Sequence, residues 1–423
     1  MYELAKKLFP ICRSITGKGT RQTLEMLKEE VSSMKIYEVP SGTKVFDWVV
    51  PKEWNIRDAY IEDSNKVRIL DFNESNLHVV GYSLPMDCYM TLEELKNIIY
   101  TQPEQPDVIP YVTSYYEERS GFCMSENQKK ILQEDIYHCV IDSELKNGKL
   151  TYGEIILKGD TDEEILLSTY ICHPSMANNE VSGPVVTIEI AKWLETLKKR
   201  RYTYRIIFVP ETIGAITYLN RNLSAMKKNT VAGFVLSCVG DERTYSIVES
   251  KYGNTLTDKL LKNVLGYHYP QYKLYHFLDR GSDERQYNAP GVDLPVCAVC
   301  RSKYGEYPEY HTSADDLSLI SEKGLQGSYK LLKKCIIALE HNYYYKVNCL
   351  CEPQLGKRKL YPSISQKGNY DSVTAMCDFL AYADGKNDLI DISNIISVPI
   401  EDLVEIVKKL IKENLVDYSM VVN

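Results

Sequence analysis

Two of the seven histidines stand among residues that could do metal chemistry. His173 leaves an apolar run, "EILLSTYIC", with Asn179 and Glu180 on the loop that follows; His311 sits in "EYPEYHTSADDL" with Asp315 and Asp316 close behind. A neutral imidazole offers a nitrogen lone pair and a carboxylate an oxygen, the donor set that suits zinc. Two histidines and one carboxylate leave a fourth position open. A carboxylate outside such a donor set can act as general base, and Glu211, at the end of "RIIFVPE", is the candidate. The alternative is that both histidines cap strand ends, since residues so far apart in sequence need not meet. His78, His138, His268 and His341 lack an acidic constellation and read as structural or solvated, whereas His276, in "LYHFLDRGSDE", is more open.

Positioning these groups is work for strands and helices. "EILLSTYIC" is apolar and β-branched enough for an inner strand, and "GPVVTIEIAKWLETLKK" has helical periodicity. Between about Tyr115 and His341, strand-like runs alternate with helical ones, which predicts an α/β domain with a mostly parallel sheet flanked by helices. Ligands in that architecture bind at the carboxyl ends of the strands. His173, Glu211, Asp241 and the tract to His311 all fall at such ends. From about Gly42 to Thr113, short alternating runs separated by Asn, Asp, Ser and Pro predict a small β-rich domain. "CEPQLGKRKLYPSISQKG" reads as a linker, and the tail beyond it as a winged helix with Ile400, Leu403, Val407 and Leu410 as the buried stripe of its last helix.

Composition narrows the function classes. A chain of 423 residues predicts two or three domains. Neither a membrane-length apolar run nor a secretory leader is evident, so a cytoplasmic location and no membrane partner are expected. Twelve scattered cysteines fit reduced thiols, and Cys297 and Cys300 read as strand packing rather than a redox pair. The net charge of −8 argues against nucleic acid as the main partner. The presumptive recognition helix opens with Glu401, Asp402 and Glu405, so a protein-contact or self-association role is expected for the tail.

The order His, N-x-x-S-G, P-E-x-I-G, S-D and Y-H-T-x-x-D resembles the M28-type zinc aminopeptidase-like family, in the form that carries a small inserted β-domain and a C-terminal winged helix. "RSITGKGTRQTL", "CHPSMANNEVSGP", "VPETIGAITYL", "DRGSDERQYNAPGVDLPV" and "YHTSADDL" carry the resemblance over nearly the whole chain. It implies an aminopeptidase-like domain over 1–41 and 114–345, the insert over 42–113, and a linker and winged helix over 346–423. It implies His173 and His311 as metal ligands and Glu211 as general base. Asn179, Thr212 and Ser237 or Cys238 fall where the peptidases carry further carboxylate ligands. One zinc per chain is therefore expected, held by His173, His311 and Glu180, with Asn179 or Asp241 as competing third donor. Asp283 and Glu284 are expected to anchor a substrate's amino group, and Arg280 or Arg285 its carboxylate, against an ion-pair network that orders the loop. The implied function is hydrolysis of a peptide or other amide by metal-activated water, with a link to surface-polysaccharide biosynthesis. Two other classes stand beside it: a catalytically silent scaffold acting through the winged helix, and a ligand-sensing transcription regulator, which the acidic tail disfavours.

Overall fold

The computed structural model describes residues 1–360 and 371–419. The later part of the expected linker, residues 361–368, lies outside the described residues, as do residues 369–370. Two compact units are formed, one from residues 1–251 and 273–329, the other from 252–272 and 330–423.

The larger unit is organised by an eight-stranded sheet. Its strands are β1 (Lys35–Pro40), β2 (Lys149–Leu157), β3 (Glu164–Tyr170), β4 (Thr203–Val209), β5 (Thr230–Leu236), β6 (Ser246–Val248), β7 (Lys273–Tyr275) and β8 (Val296–Cys300), in the spatial order β1-β2-β4-β3-β5-β8-β6-β7. The centre, β4-β3-β5-β8, is parallel. Its strands are buried almost throughout, which is why they read as continuous apolar runs without alternation. The sheet as a whole is mixed, because β1, β2 and β6 join by antiparallel pairing. Cys297 and Cys300 are buried in β8, and among the described residues no cysteine is in a disulfide. Helix α1 (Lys18–Glu30) precedes the sheet, α2 (Ser182–Thr196) follows β3, and α3 (Ile213–Asn229) follows β4. This winding brings the carboxyl ends of β3, β4, β5 and β8 to one edge.

A four-stranded antiparallel sheet, from Glu53–Glu62, Arg68–Asp71, Met86–Thr91 and Ile136–Lys146, belongs to the same unit. Ala59, Ile61, Leu70, Tyr137, Cys139 and Ile141 form its core. The run Ile136–Lys146, read above with the alternating domain, is the strand on which two others pair. Its burial alternates from Ile136 to Glu144, as expected for a sheet with one solvated face.

Glu53 ties this small sheet to α1 and β2. It accepts hydrogen bonds from Arg21 Nη2 at 2.6 Å, Arg21 Nη1 at 3.0 Å, Asn55 Nδ2 at 3.1 Å and the Lys149 N–H at 3.0 Å. Burial raises its pKa, but these bonds outweigh burial and lower it from 4.5 to about 2. A depressed carboxylate pKa stabilises the fold above the ordinary value, and that stabilisation is lost as pH falls. Urea-unfolding midpoints are therefore expected to drop between pH 4.5 and about 2 in the wild type and to drop less steeply in Glu53→Gln.

The smaller unit contains a three-stranded sheet in the order Asp384–Asp388, Tyr344–Val347, Val416–Ser419, with helices Asp371–Tyr382, Leu389–Ile396 and Ile400–Lys412. Asp388 caps the second of these helices by accepting from the Asp391 N–H at 2.8 Å. Ile400, Leu403, Val407 and Leu410 are buried, forming the expected stripe. Glu401, at the start of the last helix, pairs with Lys334 at 2.6 Å and with His268. Among the described residues no helix is long and apolar enough to cross a membrane.

Candidate active site

The site forms where the loops after β3, β4 and β8 meet. After β3 the chain passes His173 and winds one wide π turn, Ala177–Val181, into α2. Such turns recur at functional sites. Gly183 lets α2 start against the strand ends: a Cβ there would lie 2.3 Å from Thr169 Oγ1 and 2.5 Å from the Leu236 carbonyl oxygen. Asp315 locks the two histidine-bearing loops together. Its carboxylate accepts from the Asn178 N–H at 2.6 Å, the Asn179 N–H at 2.9 Å and the Tyr307 hydroxyl at 3.0 Å.

His173 and His311 consequently meet, with ring centroids 5.3 Å apart. Tyr111 lies against both, at 5.2 and 5.0 Å, and Tyr310 stacks on His311 at 3.9 Å. His173 Nδ1 is 2.8 Å from Glu180 Oε2, while Nε2, on the other side of the ring, is 3.6 Å from Glu211 Oε2. His311 Nε2 is buried without a hydrogen-bond partner. A cavity of about 330 Å³ is walled by both histidines, Glu211, Thr212 and Arg285, with Tyr111, Tyr115, Tyr116 and Trp48 among its other walls.

Burial governs the charge states. It lowers both histidines to about 3, aided at His173 by Arg13 and at His311 by His173, so both rings are neutral and keep a lone pair at neutral pH. It pushes Glu180 up to about 8 against the opposing charge of Arg13. Glu211 is also pushed up, by burial and then by the Asp283 carboxylate, with Arg285 opposing. Arg13 beside Glu180, and Arg285 beside Glu211 and Asp283, oppose these rises.

Thr212 holds a backbone conformation, φ 62° and ψ −79°, that a β-branched residue rarely adopts. Its N–H donates to Asp283 Oδ1 at 2.7 Å and its Oγ1 accepts from Arg285 Nη2 at 2.6 Å. Strain of this kind persists only where neighbours over-determine it. Here it sets the residue next to Glu211.

Several expected roles are altered by this geometry. Glu180 bonds to Nδ1 of His173, and the two ring nitrogens point in opposite directions, so it cannot share one ion with His173 Nε2. It orients the ring instead. Asp241 is occupied, accepting from Asn178 Nδ2, the Ser302 N–H and hydroxyl, and the Arg243 N–H. Asp283 is bonded to Thr212, and Glu284 accepts from the Gly281 and Ser282 N–H groups and the Tyr304 hydroxyl, so neither stands on the cavity wall. Arg285 does stand there, whereas Arg280 is exposed.

Arg13 was missed at the level of sequence. Fully buried, it lies 3.6 Å from Glu180 and donates to the carbonyls of His173 at 2.9 Å and Leu8 at 2.6 Å. A lone arginine in the apolar stretch "KLFPICRSI" was the available signal. The aromatic wall was signalled by "VIPYVTSYY" and "FDWVVP".

The residues offer donors that a metal ion could take. His311 Nε2 and Asn179 Oδ1 are buried and unpartnered, as atoms awaiting a ligand would be. Cys172, His173 and Glu180 also offer atoms within 4.8 Å of one another, but Arg13 already supplies a positive charge beside Glu180. The positions to which the resemblance assigns further carboxylate ligands hold Asn179, Thr212 and Ser237 or Cys238, and the Ser237 and Tyr170 hydroxyls share a hydrogen bond.

Comparison with known proteins agrees with this architecture. The family described as a domain of unknown function, DUF4910, matches residues 2–342, and a winged helix-turn-helix family matches 343–418. A Clostridium acetobutylicum protein, provisionally named a polysaccharide biosynthesis protein with aminopeptidase-like domain, is 47% identical over 395 residues, 93% of this chain and 90% of the relative. A crystal structure from the same organism, provisionally called a peptidase, superposes with a TM-score of 0.93 at 44% identity, covering 99% of this chain and 96% of that one. The zinc aminopeptidase BSAP from Bacillus subtilis matches with a TM-score of 0.58 at 13% identity over 80% of this chain and 93% of its own, a likeness of fold.

Proposed function

The chain belongs to the DUF4910 family, built on the M28-type aminopeptidase-like fold with a C-terminal winged helix, and we propose that it is a zinc-dependent hydrolase of an amide bond. The observation that carries this reading is the buried, unpartnered Nε2 of His311, a residue that lines the same cavity as His173 and Glu211. His173 and His311 would hold the ion, with Asn179 Oδ1 as third donor and Glu180 fixing the His173 ring through Nδ1. Zinc, when bound, supplies Lewis acidity that polarises a carbonyl and acidifies water.

Glu211 takes a proton from the attacking water and delivers it to the departing nitrogen, so that an acid and an amine leave. Its raised affinity for protons suits that exchange near neutral pH. Thr212, pinned by Asp283, keeps Glu211 at the cavity, and Tyr111 with Tyr115 excludes bulk water from it. The relative's name supports an N-acylated sugar or a peptide-like precursor of a surface polysaccharide as the substrate, in a cytoplasmic setting that suits reduced thiols. The winged helix serves protein contact or self-association rather than nucleic-acid binding, supported by the acidic first turn of its last helix, with Glu401 and Asp402.

A second reading, a silent scaffold, is favoured by Asn179, Thr212 and Ser237 in place of carboxylates. Incubating zinc-loaded protein with peptides and N-acyl sugars and measuring primary-amine release separates the two. Release that a chelator abolishes is the expected result; no release from any substrate favours the scaffold.

A further inference from the structure

Arg285 stands on the cavity wall within electrostatic reach of Glu211 and Asp283, but no carboxylate is bonded to it. One of its N–H groups donates to Thr212 Oγ1 at 2.6 Å, Nε is buried without a partner, and it forms no ion pair among the described residues. A guanidinium is always charged at physiological pH and presents its donors as a planar fork that matches a carboxylate with two parallel bonds. Leaving such donors unmatched in a partly buried wall is unfavourable unless a ligand completes them.

The surroundings decide the sign of that ligand. Asp283 and Glu284, the carboxylates that could have received a substrate's ammonium, do not line the cavity: Asp283 accepts from the Thr212 N–H and Glu284 from the Gly281 N–H and the Tyr304 hydroxyl. An ammonium entering beside Arg285 would instead meet a like charge. Thr212, next in sequence to Glu211, carries the hydroxyl on which Arg285 rests, so an anion held there lies close to the base. The remaining wall is largely flat and apolar: Trp48 and Tyr116, 38% and 57% exposed, pack edge to face at 5.6 Å, with Tyr115 and Ile213 also lining the cavity.

We propose that the cavity selects amides bearing a carboxylate, bound by Arg285, with a ring or apolar body against the aromatic wall. The amide follows from the hydrolase reading; the carboxylate follows from Arg285 alone. In specificity the chain would then differ from an enzyme that recognises a free amino terminus.

Binding measured apart from turnover tests this. Calorimetry on the full chain, zinc-free and zinc-loaded, would compare N-acetyltyrosine with N-acetyltyrosinamide and N-acetylleucine with N-acetylleucinamide, with tyrosinamide as the cationic probe and inorganic phosphate as the competing anion. In the zinc-free protein each acid is expected to bind about 10- to 100-fold more tightly than its amide. Arg285→Met is expected to remove that preference, and Arg285→Lys to keep part of it. A zinc-free comparison matters because a bound metal also attracts carboxylates. Equal affinity within both pairs, no binding of either acid, tighter binding of tyrosinamide, or a preference that survives in Arg285→Met would overturn the proposal. Binding of phosphate alone would overturn the carboxylate assignment. Absence of zinc or of turnover, by contrast, strikes only the hydrolase reading.

Discussion

Glu211→Gln is expected to lower amide turnover by about 100- to 10,000-fold, the range for removing a positioned general base, while metal content stays unchanged. The glutamine preserves shape but has no lone pair basic enough to accept a proton, so the water at this site loses its acceptor. Glu211 stands 3.6 Å from His173 Nε2, close enough to serve the same water yet outside the set of unpartnered donors. Its backbone N–H donates to Cys172 Sγ at 3.2 Å, so the end of β4 is anchored independently of the carboxylate. A steady-state comparison with matched circular dichroism checks this. A drop of less than about tenfold would remove Glu211 from the role of base.

Arg13→Met is expected to destabilise the larger unit by about 3 to 5 kcal/mol, read from its urea-unfolding midpoint. Arg13 and Glu180 are both almost wholly inaccessible, with side-chain exposures of 1% each. Removing Arg13 takes away the charge that opposes the rise of Glu180, and it also strips the carbonyls of Leu8 and His173 of their donors. At a pH well above 8, where folding of Arg13→Met must bury Glu180 without a cation beside it, adding Glu180→Gln should recover part of the loss, since a neutral amide is less costly to bury than an unpaired carboxylate. A single-variant loss below about 1 kcal/mol, within the range of an exposed pair, would contradict this account of the pair.

What was legible in the sequence, and what was not, follows from the range of the interactions. His173, Glu211 and the tract to His311 could be placed at one edge because each follows an apolar strand in an α/β alternation, and parallel strands present their carboxyl ends together. Which way a side chain points after the strand ends is a different matter. The π turn at Ala177–Val181 rotates Glu180 to the rear of the His173 ring, and a wide turn of that kind leaves no periodic trace in the sequence. Asp283 and Glu284 looked like free carboxylates, yet one oxygen of each accepts from backbone N–H groups, of Thr212 for Asp283 and of Gly281 and Ser282 for Glu284, and neither lines the cavity. The parallel centre of the sheet was readable from unbroken apolar strands, whereas the antiparallel joining of β1 and β2 depends on distant pairing that periodicity does not encode. Arg13 reaches the site from 160 residues away, by contacts that only the folded chain reveals.

Zinc per chain tests the central claim most directly, measured by elemental analysis on protein purified without chelator and beside His173→Ala and His311→Ala. About one ion per chain in the wild type, lost in both variants, is the predicted result. A wild type that stays metal-free after zinc is supplied at neutral pH, or variants that retain the ion, would contradict the site built on these two histidines.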